Sequence, residues 1–180
     1  MTSTDPVLLH AALDVASILA TNNHSREMIL DNGGLHVIVT LLTTLKPSAM
    51  TIQIDLIELA VSCVRRLIFP PLSDTPEPSS AAVVAKIFGS RLLLALMKAY
   101  PERENMVCDL CRLIAATMKH EKNSALVARL DGGIILLVKI LGSCASSETL
   151  IAAMSLAASV AALALATVLP RSAASIGERS

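Results

Sequence analysis

Cys108 and Cys111 form a CxxC pair. That spacing does chemistry in two settings. A structural zinc site needs four converging ligands, and a redox pair accompanies a βαβ pattern. Here no second pair stands at zinc spacing, and the histidines are scattered at His10, His24, His36 and His120. The surrounding run NMVCDLCRLI reads as helix. Buried packing is therefore the expectation for these two cysteines, and for Cys63 and Cys144 in other apolar runs, because free cysteine behaves as a small hydrophobe. Asp55 and Glu58 share a helix face three positions apart, as paired carboxylates for general acid–base work would. No His or Ser is placed to complete such a site, so a solvated face is expected. Arg65-Arg66 has the chemistry of a phosphate clamp. On a neutral chain the pair is expected instead at an exposed helix end, where carbonyls favour cations. Gly33-Gly34 and Gly132-Gly133 are not phosphate loops, since neither GxGxxG nor GxxxxGK[ST] occurs. No catalytic residue, cofactor or metal is expected, and the chain reads as no enzyme.

Composition agrees with that reading. The 180 residues are 53% hydrophobic but only 2% aromatic, with a mean hydropathy of +0.64. Leu, Ile, Val, Ala and Met must therefore build the core. Fifteen basic and fifteen acidic side chains cancel, which removes the field that a nucleic-acid binder needs. Asp5 and Pro6 precede the first apolar run, where no secretory signal is visible. With no disulfide framework, the expected location is intracellular and cytoplasmic, with nucleus and cilium left open.

The elements that would position any site come from a repeat. Ser25 to Leu42 reads SREMILDNGGLHVIVTLL, and Ser124 to Leu141 reads SALVARLDGGIILLVKIL. Each is a short amphipathic run, an acidic residue close to a double glycine, and a longer apolar run. A weaker copy, Ala81 to Met97, has Gly89 in the glycine place. Gly89 to Gly132 spans 43 residues, within the period of helical solenoids. Gly33 to Gly89 spans 56. The excess nearly matches Pro70 to Ser80 (PPLSDTPEPSS), which reads as an exposed, mobile and dispensable insertion. A first helix, residues 6–20, precedes three repeats at about 22–69, 81–119 and 122–169, which make one domain over 1–169. The tail 170–180 is expected to be disordered. Within Leu35 to Leu45 the run LHVIVT alternates as a strand would, but its place in the repeat predicts a helix.

Short helix, glycine break, medium helix and long helix, repeating near this period, resembles the armadillo repeat. The matching motif is an asparagine-rich turn, a short helix, Asp-Asn-Gly-Gly-Leu or Asp-Gly-Gly-Ile, then an apolar helix ending in leucines. It fits at Asn22 to Leu42 and Asn123 to Leu141. The resemblance implies an all-α fold: a right-handed superhelix of about three repeats, an armadillo-like solenoid whose third helices line a concave groove. Importin-α-like members carry an asparagine ladder on those helices, and its places fall here near Ser17 and near Ala116 or Thr117. The chain also has no Trp. Nuclear-import cargo is therefore not the expectation, whereas a β-catenin-like, axonemal or regulatory scaffold stays open.

The polar stripes of the long helices supply the candidate partner surface: Asp14, Asp55, Glu58, Arg65, Asp109 and Arg112. Their mixed charge suits a protein or peptide of mixed charge. The alternative is a membrane-tethered helical adaptor. Residues 149–170 hold no charge and are long enough to span a bilayer. Their many alanines instead suit a packed third helix, in which Ala157→Leu or Ala161→Leu would overpack. A terminal repeat with an apolar outer face also suits self-association or further repeats through this helix.

Overall fold

The computed structural model describes residues 5–45, 51–71, 73, 75–87, 89–118, 120, 133–143 and 146–168. Helices are present in these residues and strands are not. In chain order they are α1 (Pro6–Leu19), α2 (Asn23–Asp31), α3 (Gly34–Thr44), α4 (Thr51–Ile68), α5 (Pro78–Ile87), α6 (Gly89–Ala99), α7 (Glu104–Met118), α8 (Gly133–Ser143) and α9 (Ser147–Val168). The short helix expected at Ser124 to Leu130, the Gly132 turn, Cys144 and the tail 170–180 lie outside the described residues.

Local chemistry sets the helix ends. The Asp5 carboxylate accepts from the Val7 amide at 3.0 Å, ahead of Pro6 in the first helical position. Asn22 accepts from the Ser25 amide at 3.2 Å and opens α2. The two glycines after α2 have separate jobs. Gly33 adopts a left-handed φ of +74°, which side chains resist. A Cβ on Gly34 would lie 2.5 Å from Ile29 Cγ2 and 2.9 Å from the Ile29 carbonyl oxygen. One glycine turns the chain, and the other lets α3 pass tight against α2.

LHVIVT is helical. Its strand-like alternation yields because Leu35, Ile38, Val39 and Leu42 fall at i, i+3, i+4 and i+7 and are all buried.

The long helices touch in the order α1–α4–α7–α9. Behind this row α2 packs on α3 and α5 on α6, while α3 also meets α4 and α5, and both α5 and α6 meet α7. The core runs through the centre of the row. Ile57, Leu67, Met97, Leu110, Leu113 and Ile114 are among its largest fully buried side chains. The ends of the row differ from the centre. Val7, Leu8, Val15 and Ile18 on α1, and Ile151 and Met154 on α9, are exposed.

Two expectations need correction. First, Pro70 to Ser80 is not a free insertion. Helix α5 already begins at Pro78, the Glu77 amide donates to the Ile68 carbonyl at 2.8 Å, and Ser80 is buried. Glu77 also pairs with Arg26, a buried arginine on α2 whose Nε donates to the Leu67 carbonyl at 2.9 Å. The guanidinium thus closes the carboxyl end of α4 and ties α2 to the segment leading into α5. Burial works to raise the Glu77 pKa, but the Arg26 hydrogen bond and charge, with Ser79 and Ser80, outweigh it and hold the carboxyl below its ordinary value.

Second, among the described side chains the buried alanines of α9 are Ala152 and Ala153, beside Thr149, Leu156 and Val160, where the helix packs on α7. Ala157 is only partly covered and Ala161 is exposed. Ala153→Leu is therefore expected to overpack the interface and cost about 2 kcal/mol. Ala161→Leu should be close to neutral. Thermal unfolding of the two variants checks this, and equal melting temperatures would mean that α9 does not pack through Ala153.

Candidate functional site: a charged groove along the long helices

Helix α4 faces α7 with Asp55, Glu58, Ser62 and Arg65, at helical spacing on one side. Arg103, just before α7, places Nη1 3.2 Å from Asp55 Oδ1 and 3.2 Å from Glu58 Oε2. Further along, Arg65 Nε lies 2.7 Å from Asp109 Oδ1 on α7. The contact is close, but its geometry is not that of a hydrogen bond, so the pair is held by charge. Arg112, one turn after Asp109, donates from Nη2 to Glu148 Oε1 on α9 at 3.0 Å. Asp109 and Arg112 share a helix face yet reach in opposite directions, one to each neighbouring helix. The charges link the row from side to side.

These bridges border three concavities that meet at Arg65. One, about 510 Å³, is lined by His10, Asp55, Glu58, Arg65, Asp109 and Glu148, among others. A second, about 470 Å³, lies between the carboxyl half of α4, α7 and α9, with Arg65, Arg112, Ile151 and Ser155 in its wall. The third, about 370 Å³, lies beyond the ends of α1 and α4, with Thr21, Arg65, Arg66 and Ser73. Five of the six candidate residues thus come together. Asp14 does not: it stands exposed on α1 and lines none of the three. His10, one turn earlier, is the α1 residue that reaches the groove.

Burial shapes the titration of the groove. The Asp109 carboxyl is raised above the usual carboxylate value by burial, which outweighs the opposing charges of Arg65 and Arg112. Burial pushes the Cys63 thiol up to about 11, and burial also raises Cys108 despite Arg112 nearby. Both thiols are therefore held protonated and poorly nucleophilic. Cys111 is buried against the Met97 sulfur at 3.8 Å. Among the described residues no group of three or more His, Cys, Asp or Glu is placed to hold a metal ion.

Arg103 and Glu148 join the site although nothing in their local sequence marks them, and Arg66 lies in the last turn of α4 as expected but is less exposed than expected. Arg66 is half-buried, and its Nη1 donates to the Ser17 carbonyl of α1 at 3.3 Å. A mixed-sign stripe on each long helix was the available signal, because stacked stripes of both signs must either pair or repel.

Among the described residues no single helix is long and apolar enough to cross a membrane; Pro78–Ile87 and Leu92–Ala99 reach that length and apolarity only together, across a 78° bend. No family model matches the chain. No curated protein matches it either. The chain is similar to an engineered protein of known crystal structure, at 21% identity and a TM-score of 0.62, over 89% of this chain and 59% of that one. It therefore spans less than two thirds of that protein's length, and at such identity the likeness speaks for the all-α fold alone.

Proposed function

We propose that this chain is a non-enzymatic interaction scaffold, a short armadillo-like solenoid that takes an extended peptide or protein segment along the groove of its long helices. The observation that carries this reading is the meeting of three concavities on one face of the α1–α4–α7–α9 row, where five of the six candidate residues lie. The repeat pattern of the sequence supports it, because each long helix occupies the third-helix place. The groove carries both signs of charge beside apolar side chains such as Phe69 and Ile151, which suits a segment of mixed charge that also offers apolar contacts.

The ion pairs decide how to test it. Reversing Asp109 and Arg112 would break bridges to two neighbouring helices, so lost binding would be confounded with lost packing. Asn105 lines the same groove, is exposed, and holds no ion pair. Asn105→Arg is therefore expected to leave circular dichroism and melting unchanged and to remove most of the proteins co-purifying with the wild-type chain. An unchanged set of co-purifying proteins would move the binding surface elsewhere.

The membrane-tethered reading has less support. Helix α9 buries one face on α7. Its outer face, with Leu150 and Met154, remains for contact with another chain.

A further inference from the structure

The charges of the groove do not balance residue by residue. Asp55 and Glu58 are matched by Arg103, Asp109 by Arg65, and Glu148 by Arg112. Arg66 has no carboxylate partner among the described residues. Its guanidinium carries five donors, and among the described residues its one hydrogen bond is the long contact to the Ser17 carbonyl. The Arg66 Nε is buried without a hydrogen-bond acceptor among the described residues, whereas the Arg65 Nε already meets the Asp109 carboxylate by charge. A buried donor left unmatched is costly. Both arginines line the concavity beyond α1 and α4, together with Thr21 and Ser73, and among the described residues no acidic one stands in that lining. Two cations and two hydroxyls, with no carboxylate among the described residues of the hollow, suit an anion.

We propose that this hollow is an anion subsite at one end of the groove, in which Arg66 binds a carboxylate side chain of the partner peptide. The inference rests on the scaffold reading above and gives it a chemical preference. Planar guanidinium donors meet a carboxylate in charge-assisted hydrogen bonds. Because Arg65 borders all three concavities, an acidic residue held here fixes where the remaining segment lies. The partner would carry an acidic residue at one end of its bound stretch.

Arginine Nε–H resonances read the site directly by NMR. The probes are hexaglutamate, hexalysine and inorganic phosphate, each titrated into the whole chain. Hexaglutamate should shift the Arg66 resonance, and hexalysine should not. Arg66→Gln should weaken hexaglutamate binding by about tenfold or more, the scale of a charged hydrogen bond. If that variant folds poorly, Thr21→Glu serves instead, because it supplies a carboxylate to the hollow from an exposed position and should block the probe. Binding undiminished in the variants, or an Arg66 resonance that hexaglutamate leaves unmoved, would overturn the subsite. So would a response to phosphate alone, which would assign the hollow to the free ion. So would Asp74→Asn moving Arg66 without any probe, since the chain's own carboxylate would then be the occupant. Shifts at Arg103 and Arg112 with Arg66 silent would leave the groove reading intact and remove only this inference. Silence at all of them would count against both.

Discussion

Glu77→Ala is expected to destabilise the chain by about 3 kcal/mol. The cause lies on the other side of the pair. Arg26 is buried on α2, and without Glu77 its charge keeps, among the described residues, the Leu67 carbonyl alone. A buried cation stripped of its counter-charge is among the costlier single changes in a protein. The figure stays at the lower end of that range because the Glu77 side chain is itself 37% exposed and partly screened. The pair also predicts a pH response. The folded pKa of Glu77 is depressed, so its contribution is present above the unfolded value and is lost as pH falls through the folded one. Urea unfolding between pH 7 and pH 3 should show the wild type losing this part of its stability, and Glu77→Gln lacking it at every pH. An alanine variant as stable as the wild type would mean that the segment before α5 is the dispensable loop its composition suggests.

Arg65→Leu should cost about 3 kcal/mol at neutral pH, and this deficit too should shrink on acidification, here because the variant regains stability. Asp109 has only 14% of its side chain exposed, and burial already raises its carboxyl even with Arg65 beside it. Removing the arginine takes away the nearest opposing charge and raises the folded value further. A group raised in this way contributes fully below its unfolded pKa, and the contribution is lost as pH rises through the folded one. The deficit of the variant should therefore be large at pH 7 and shrink as Asp109 takes up its proton. The double variant Arg65→Leu with Asp109→Leu should recover most of the loss, because two apolar side chains replace a pair that was costly to bury. A deficit independent of pH would show that Arg65 acts through packing and not through its charge.

Some of this was legible in the sequence because it is local. The Asp5-Pro6 start, the Asn22 cap and the Gly33-Gly34 turn each act within a few residues of where they stand, so their chemistry predicts their structure. The gathering of Asp55, Glu58, Arg65, Asp109 and Arg112 was legible because the repeat places their helices side by side. What failed depended on distance or on rotational phase. Arg26 and Glu77 lie 51 positions apart, and nothing near either announces the other. Helix α9 has no charge after Glu148 to mark its solvent side, so the packed alanines were assigned to the wrong face. Arg66 stands at the helix end as expected, but its half-buried state, unmatched among the described residues, was not legible, because a net charge of zero averages over the chain, whereas each carboxylate of the groove is already matched by another arginine.

The central claim is that the face shared by α4, α7 and α9 binds an extended segment. Panning a random peptide library against the whole chain, then mapping one selected peptide by NMR, tests it most directly. The account predicts that the peptide perturbs Ser62, Asn105, Ser146 and Ser155 on the groove, and that Asn105→Arg abolishes its binding without altering the melting temperature. Perturbations at the exposed Val37, Ile135 and Val138 of α3 and α8 instead, with binding intact in Asn105→Arg, would contradict it.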